Sequence, residues 1–369
     1  MLRPRDDADL AEIIANTSSA LEPVAGGSLR SIGKPVQGEV LDLSALEGIL
    51  DYEPEELVLT ARAATPLTAI ERALRERRQR LAFEPPDWAR LLAATGRPTI
   101  GGVLAANASG SRRLTGGAAR DHFLGFRAVS GRGERFKGGG RVVKNVTGFD
   151  LPKLLAGSWG TLAVLTEVTL RVSPSPECER TLILPAAAPA PAVSTMTSAL
   201  TSQCEVSSAA FLPRRGVALR LEGFQPSVAA RAAALLERLD RPEATWLEQD
   251  GSRAFWSAVG EAQPLQAHSI LWRLSVPPSD AAAIIERLTP LDYLLDWGGG
   301  LIWVACDAAD AESVRGALPR GHAMLIKAPA AVRAETEVFQ PLAAPLAALS
   351  ARLKAAFDPR ARLNPGRMG

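Results

Sequence analysis

The stretch Pro23-Val24-Ala25-Gly26-Gly27-Ser28-Leu29-Arg30-Ser31-Ile32-Gly33-Lys34-Pro35 limits the folds open to this chain more than any other. A short apolar run enters a Gly-Gly-Ser turn, with Arg30 and Lys34 just beyond it. Glycine admits φ > 0 and lets backbone approach a ligand closely. Successive N–H groups in such a turn form a concave nest for an anion, with no helix required. Two readings are open from this segment alone: a surface turn between strands, or an anion-binding loop. Spacing excludes a P-loop NTPase. Five residues, not four, separate Gly27 from Gly33-Lys34, and Pro35 stands where the Mg²⁺-binding hydroxyl belongs. The other glycine motif, Gly131-Arg132-Gly133-Glu134-Arg135-Phe136, has Phe at the third glycine of a Rossmann fingerprint and no helical pattern after it, so it reads as a hairpin turn.

Charge narrows the partners. The 42 Lys+Arg residues against 40 Asp+Glu give a net +2, which offers no electrostatic reason to expect nucleic acid. The three cysteines, Cys178, Cys204 and Cys306, lie far apart in no CxxC pair, arguing against a disulfide framework, structural zinc or an iron–sulfur cluster within the chain. The N-terminus lacks the apolar core of a secretory signal, and no apolar run reaches membrane-spanning length. The expectation is a cytoplasmic protein with no transmembrane segment; peripheral attachment to the inner face of a membrane through partners stays open.

Along the chain, Leu10, Ile13 and Ile14 place a helix over 6–19. Strands are expected at 40–43 and 57–63. Thr65-Pro66 reads as N-cap and N1 of a helix over 67–80. The small-residue run from Thr99 to Gly110 suits either close helix packing or a wall against something flat. Residues 123–130 and 134–137 read as a β-hairpin, Gly138-Gly139-Gly140 as a flexible loop, and 162–172 as a strand. Pro174-Ser175-Pro176 marks a boundary, and Pro185 to Pro191 reads as a linker. Beyond it, strands at 216–221, 269–276 and 301–306 alternate with helices at 227–239 and 279–288, which points to an α+β unit on an antiparallel sheet. Five tryptophans (246, 256, 272, 297 and 303) fall there, mostly as core, with one or two left for a pocket or an interface.

Taken in order, AGGS at 25–28, TIGGVLAANASG at 99–110, RD at 120–121, VVKNVTGFDLPKLLAGSWGTLAVLTEVTLRV at 142–172 and FDPRARLNPGRM at 357–368 resemble a known family. It is the vanillyl-alcohol-oxidase and p-cresol-methylhydroxylase (PCMH) type of FAD-binding domain, and within it the E subunits of bacterial glycolate oxidases (glycolate dehydrogenases). The resemblance implies an α+β fold: a PCMH-type FAD-binding domain over 1–175, a second, smaller α+β domain over 176–340, and a tail, 341–369, returning to the flavin domain. It implies that Ala25, Gly26, Gly27, Ser28, Leu29 and Arg30 wrap the pyrophosphate of FAD. Pro86 and Asp87 match a loop near the flavin. Thr99, Gly101, Gly102, Ala106, Asn107 and Ser109 match the wall beside the ring and ribityl chain. Lys144, Asn145 and Gly148 match a segment passing near the cofactor. Gly157, Gly160, Thr161 and Val164 match the adenine side, and Asn364 the returning tail.

The implied activity is oxidation of glycolate to glyoxylate in a hetero-oligomer with a larger catalytic FAD subunit and an iron–sulfur subunit, electrons passing to an acceptor other than NAD. Two rivals stand beside it: a self-sufficient FAD-dependent alcohol or 2-hydroxy-acid dehydrogenase or oxidase, and a non-catalytic structural subunit. Related hydroxy-acid dehydrogenases use a histidine-rich metal and proton-transfer site. This chain has His122 in its first half and only His268 and His322 beyond, in no metal-ligand spacing, so no metal is expected and no catalytic residue is assigned. The poverty in histidine favours an accessory role. The pyrophosphate loop also lacks His or Cys as a tether, so FAD should be held non-covalently. Acid precipitation should leave the yellow colour in the supernatant; flavin retained in the pellet would refute this.

Overall fold

The computed structural model describes residues 2–141, 148–240 and 244–369. Backbone proximity divides the chain into two units. One comprises Met1–Ser109, Ala118–Ser175 and Pro341–Gly369, the other Gly110–Gly117 and Pro176–Gln340.

In the first unit, α1 (Asp7–Asn16) is capped by Asp6, whose carboxylate accepts the Ala8 and Asp9 N–H groups. β1 (Leu21–Val24) runs parallel to β2 (Glu39–Asp42), and Leu2 and Leu363 add parallel bridges to Leu41 and Leu21. Leu21, Leu41 and Leu363 are fully buried in a core that also takes Leu10 and Ile14 of α1. β3 (Ile49–Glu53) and β4 (Val58–Arg62) lead to α2 (Leu67–Glu76) and the short β5 (Gln79–Arg80). Next come α3 (Ile100–Ala106), α4 (Arg113–Gly116, a single turn of the second unit), β6 (Phe123–Ser130), β7 (Arg135–Gly139), α5 (Leu151–Leu155), β8 (Ala163–Arg171) and β9 (Ser173–Pro174). The sheet order is β3-β4-β8-β6-β7, antiparallel throughout.

Local chemistry explains where the helix and loop boundaries differ from the sequence reading. α2 starts after Pro66 with no side-chain cap, because the Thr65 hydroxyl is occupied by Gly48 and by the Arg62 carbonyl. It ends at Glu76, not Arg80, because Gln79 and Arg80 pair with Ser173–Pro174. Gly138 and Gly139 do not form a loop; they complete β7 opposite Phe126 and Gly125. A Cβ on Gly139 would lie 2.0 Å from the Leu124 carbonyl oxygen, so glycine lets the two strands close.

The second unit holds β10 (Cys178–Leu184), β11 (Ser208–Leu212), β12 (Gly216–Gly223), β13 (Thr245–Glu248), β14 (Leu271–Ser275), β15 (Asp292–Asp296), β16 (Leu301–Ala305) and β17 (His322–Lys327). They form an antiparallel sheet ordered β13-β10-β12-β11-β15-β16-β14-β17. Its helices include α6 (Pro189–Leu200), α7 (Gln225–Leu239), α8 (Gln249–Gly260), α9 (Ala281–Leu288), α10 (Ala311–Gly316) and α11 (Ala330–Glu335). Pro189, read as linker, opens α6 at its first position, where a missing N–H costs nothing. Period-two alternation separates the sheet faces. Leu182, Leu219 and Leu221 join the apolar core with residues of α6, α7 and α9. Their neighbours Glu179, Thr181 and Arg220 point the other way into a buried polar network. There Ser252 of α8 donates to Glu179 at 2.7 Å, Trp256 Nε1 donates to Thr181 at 2.7 Å, and Arg220 donates to Ser208 at 2.6 Å.

The chain then returns to the first unit through α12 (Ala344–Phe357). Asp358, fully buried, accepts the Arg362 N–H at 3.1 Å, the Leu363 N–H at 2.8 Å and Lys354 Nζ at 2.6 Å. Held so, the tail lies beside β1: Leu21 N–H donates to the Arg362 carbonyl at 2.7 Å and Asn364 N–H to the Leu21 carbonyl at 2.9 Å. Asp358→Ala should leave two buried N–H groups without their acceptor and the Lys354 ammonium without its counter-charge. The expected loss is about 3 kcal/mol or more, read as a lowered urea midpoint with unchanged slope.

Candidate functional site

β1 ends at Val24 and delivers Ala25–Ser28 to the rim of a cleft lined mostly by small and apolar residues. Two glycines make the loop's shape. A Cβ on Gly26 would fall 1.9 Å from the Arg97 carbonyl oxygen, and one on Gly96 would fall 2.0 Å from the Gly26 carbonyl oxygen. Arg97 N–H donates to that same Gly26 carbonyl at 2.9 Å. Gly27 is different. Its φ is +77°, and a Cβ there would meet only Val24 Cγ1 at 3.8 Å, so backbone conformation rather than space requires glycine.

The opposite wall is α3. Gly101 is pressed onto the end of β4, its N–H donating to the Ala63 carbonyl at 2.8 Å, with 2.7 Å left between a Cβ and Ala63 Cβ. Close packing therefore accounts for this glycine, although it also lines the cleft. Gly102, Ala105 and Ala106 continue the wall, and Ala63, Ala64 and Ala163 line the same cleft. The result is a surface without bulk, suited to a planar ring.

Among the expected cofactor residues, the structure brings together Ala25, Gly26, Gly27, Ser28, Leu29, Arg30, Thr99, Gly101, Gly102, Ala106, Gly160, Val164 and Asn364. It leaves others off the cleft wall. Pro86 is buried and Asp87 exposed, its carboxylate spent on the Ala89 N–H. Asn107 caps α3 at φ +51° and accepts the Arg120 N–H; Ser109 accepts the Ala119 N–H. Gly157 turns at φ +82° beside Asn107, and Thr161 donates to the Ser158 carbonyl at 2.7 Å. Gly148 turns at φ +84° away from the wall, and Lys144 and Asn145 lie outside the described residues.

The charge beside the loop also differs from expectation. Arg30 is committed to the buried Glu22 through Nε and Nη2, and that hydrogen bond raises its pKa. The Lys34 side chain is not on the cleft wall. A second cation on the cleft wall comes from the tail. Arg367 donates to the Leu29 carbonyl at 2.9 Å and sits 5.8 Å from the Trp159 ring. Asn364 Nδ2 donates to the Trp159 carbonyl at 2.9 Å, while its Oδ1 is buried with no hydrogen-bond partner. An acceptor left without a donor among the described residues, on the wall of a cleft, asks for one from a ligand. The backbone nest, the small-residue wall and this acceptor fit a dinucleotide flavin.

A second cluster lies wholly in the second unit. Trp297 (φ +52°), Gly298 (+64°) and Gly299 (+101°) make a left-handed turn that is costly for a bulky residue. Asp296 holds it, accepting the Trp297 N–H and the Ser111 hydroxyl at 2.7 Å each, while Trp297 Nε1 donates to the Gly110 carbonyl at 3.0 Å. The guanidinium carbons of Arg113 and Arg273 each lie 4.8 Å from the Trp297 ring centroid. Arg273 Nε is buried without an acceptor. Burial, then Arg113, lower the Arg273 pKa to about 10, so it stays charged at neutral pH. Desolvation and both arginines lower the pKa of His322, which keeps it neutral there even though part of the ring meets solvent. Two guanidiniums thus stack on one indole ring near one carboxylate. Sequence reading missed it because nothing local announces that the Gly110–Gly117 segment, with Arg113, belongs to the second unit beside Trp297 and Arg273. Among the described residues no cluster of three or more His, Cys, Asp or Glu side chains could hold a metal.

The family model of an FAD binding domain matches residues 1–139. The glycolate oxidase subunit GlcE of Escherichia coli is 36% identical over 341 residues, covering 91% of this chain and 89% of that protein. The glycolate oxidase subunit GlcD of Bacillus subtilis is 30% identical over 188 residues, 50% of this chain and 38% of its own. A D-2-hydroxyglutarate dehydrogenase of Xanthomonas citri is 35% identical over 161 residues, 44% of this chain and 32% of its own. A solved structure of alkyldihydroxyacetonephosphate synthase superposes with a TM-score of 0.68 at 13% identity, over 98% of this chain and 76% of that one, which shows a shared fold.

The loop predicts a graded series in flavin content per purified chain. Gly27→Ala pays only the left-handed backbone cost, about 1–2 kcal/mol. Gly27→Asp adds repulsion from a diphosphate, roughly 4 kcal/mol at 4 Å and an effective dielectric of about 20. Affinity should fall by about three to four powers of ten and the chain should purify empty. Gly26→Ala has no room at all and should lower stability as well. Full flavin occupancy in Gly27→Asp would remove this loop from the cofactor site.

Proposed function

This chain belongs to the family of the bacterial glycolate oxidase subunit GlcE, and from that premise we propose that it is the FAD-binding subunit of a hetero-oligomeric, glycolate-oxidising flavoenzyme. The fold is the PCMH-type FAD-binding fold with a second α+β unit on an antiparallel sheet, and FAD is the cofactor. The observation that carries the reading is the cleft in which residues 25–30, 99–106 and 158–165 are closed by Asn364 and Arg367. The bound flavin supplies hydride acceptance and onward electron transfer, which side chains cannot. The protein supplies placement. Backbone N–H groups of Ala25–Ser28 and the Arg367 cation serve the pyrophosphate, and the Gly102–Ala106 wall leaves room for a flat ring. Residues 1–175 with 341–369 hold the cofactor, and 176–340 face substrate or companion chains.

Oxidation of glycolate to glyoxylate removes a hydride from C2 and a proton from the hydroxyl, and the two electrons pass to an acceptor other than NAD. The companions are a larger catalytic flavoprotein and an iron–sulfur chain, at the cytoplasmic side of the cell. Among the described residues no helix is long and apolar enough to cross a membrane. The Arg113/Arg273 pair favours a second reading, in which this chain itself binds the hydroxy acid. A carboxylate would take the free edge of Arg273 while Trp297 holds its plane.

The two readings separate in one experiment. The reconstituted assembly should reduce an artificial dye with glycolate, and the isolated holo-chain should show little or no flavin bleaching under anaerobic glycolate. Robust turnover by the isolated chain would overturn the accessory role and leave the FAD assignment standing. If the anion pair is used, Arg273→Met should weaken oxalate binding to the holo-chain tenfold or more. Wild-type affinity should be flat between pH 7 and 9 and fall as pH rises through about 10, where Arg273 loses its proton.

A further inference from the structure

α12 carries an unusual surface. Of its residues, Ala344 to Phe357, none is buried. Leu342 is 52% exposed, Leu346 55% and Leu349 48%. Within the helix, Leu346, Leu349 and the half-buried Leu353 recur at spacings of three and four as one stripe, and Leu342 stands exposed in the extended segment just before it. Between Pro341 and Phe357 the sequence has no acidic residue and only two basic ones, Arg352 and Lys354. Lys354 turns inward, donating to Asp358, to the Thr161 carbonyl at 2.6 Å and to the Leu363 carbonyl at 2.9 Å. The helix is thus anchored at its C-terminal end, while its leucine stripe lies open. Fourteen residues packed only at their C-terminal end are marginal as a helix in water, and a helix apolar on nearly all sides is normally a buried one.

We propose that α12 is a docking helix that seats its Leu346/Leu349 stripe, with Leu342 just before it, in an apolar groove on a companion subunit, with a carboxylate on the groove rim receiving Arg352. This rests on the reading of the chain as one subunit of an assembly. Charge selects the occupant. Isologous pairing with a second copy lays the same stripe against itself, and α12 offers no carboxylate to answer its exposed arginine. A helix lying on a membrane surface needs a strongly basic polar face, and here Arg352 is the one basic side chain left outward. At about 21 Å long and ~10 Å wide, α12 is smaller than the roughly 800 Å² per partner of a standard interface. It is therefore the apolar centre of a larger contact, where binding energy concentrates.

The test uses the full holo-chain, tagged and co-produced with its companion flavoprotein and iron–sulfur chains. Leu346→Gln/Leu349→Gln keeps helix propensity and should leave flavin content and thermal midpoint unchanged. Recovery of both companions, identified by mass, should fall at least a hundredfold, and Arg352→Glu should weaken capture about tenfold. Backbone amides of 344–357 should exchange quickly in the isolated chain and slowly in the assembly. Undiminished capture by the double variant, or equal exchange in both states, overturns the proposal. So does a chain dimer, seen by sedimentation, that the variant dissolves, or binding to phosphatidylglycerol vesicles that the variant abolishes. Failure of the subunit reading looks different: the wild-type assembly forms with α12 protected, yet glycolate reduces no dye.

Discussion

Asp358 is a carboxylate with no solvent exposure whose oxygens organise the returning C-terminal chain. Its two backbone partners, Arg362 and Leu363, are the residues through which the tail joins β1. A carboxylate removed from water must recover its lost hydration from fixed donors, and here the donors are the tail's own N–H groups and Lys354. The cleft inherits that constraint. β1 runs straight into the glycine loop, and the tail that braces β1 goes on to place Asn364 and Arg367 on the cleft wall. One buried charge therefore fixes a strand, a loop and a cation together.

The loop is built on the same economy of space. Gly26 and Gly96 cross with no room for a Cβ on either, which lets Arg97 bond back to Gly26 and holds the turn open toward the cleft. Positive charge is rationed. Arg30 pairs with the buried Glu22, and Arg367 of the tail lines the same cleft. A nest of backbone N–H groups with one supporting cation can hold a diphosphate while leaving the loop stable when empty.

The second unit places its charges by strand alternation. Arg220, Glu179 and Thr181 share one sheet face and satisfy one another with Ser252 and Trp256 of α8, so that buried network is structural. Arg273 has no such partners. It lies against Trp297, whose left-handed turn is maintained by Asp296 and Ser111.

By itself the sequence determined what depends on neighbours along the chain. The glycine order set the flavin-binding fold, the β6–β7 hairpin followed from Gly131–Glu134, and the periodicities of α1 and β8 placed them within a few residues. The loop residues from Ala25 to Ser28 were legible because a turn's chemistry is local. Tertiary structure decided whatever required distant segments to meet. Nothing near Gly96 announces that it faces Gly26, and nothing near Arg30 announces Glu22 as its counter-charge. Asn107 and Ser109 sit in the motif expected at the flavin, yet are consumed by the backbone of Arg120 and Ala119. Arg367 and Arg273 reach their sites only through the tail's docking on β1 and the register of β14 with β16 and β17. The physical reason is common to all of them. Backbone conformation is chosen by a residue and its neighbours, whereas the partner of a buried charge is chosen by whichever group the completed fold brings within hydrogen-bonding distance.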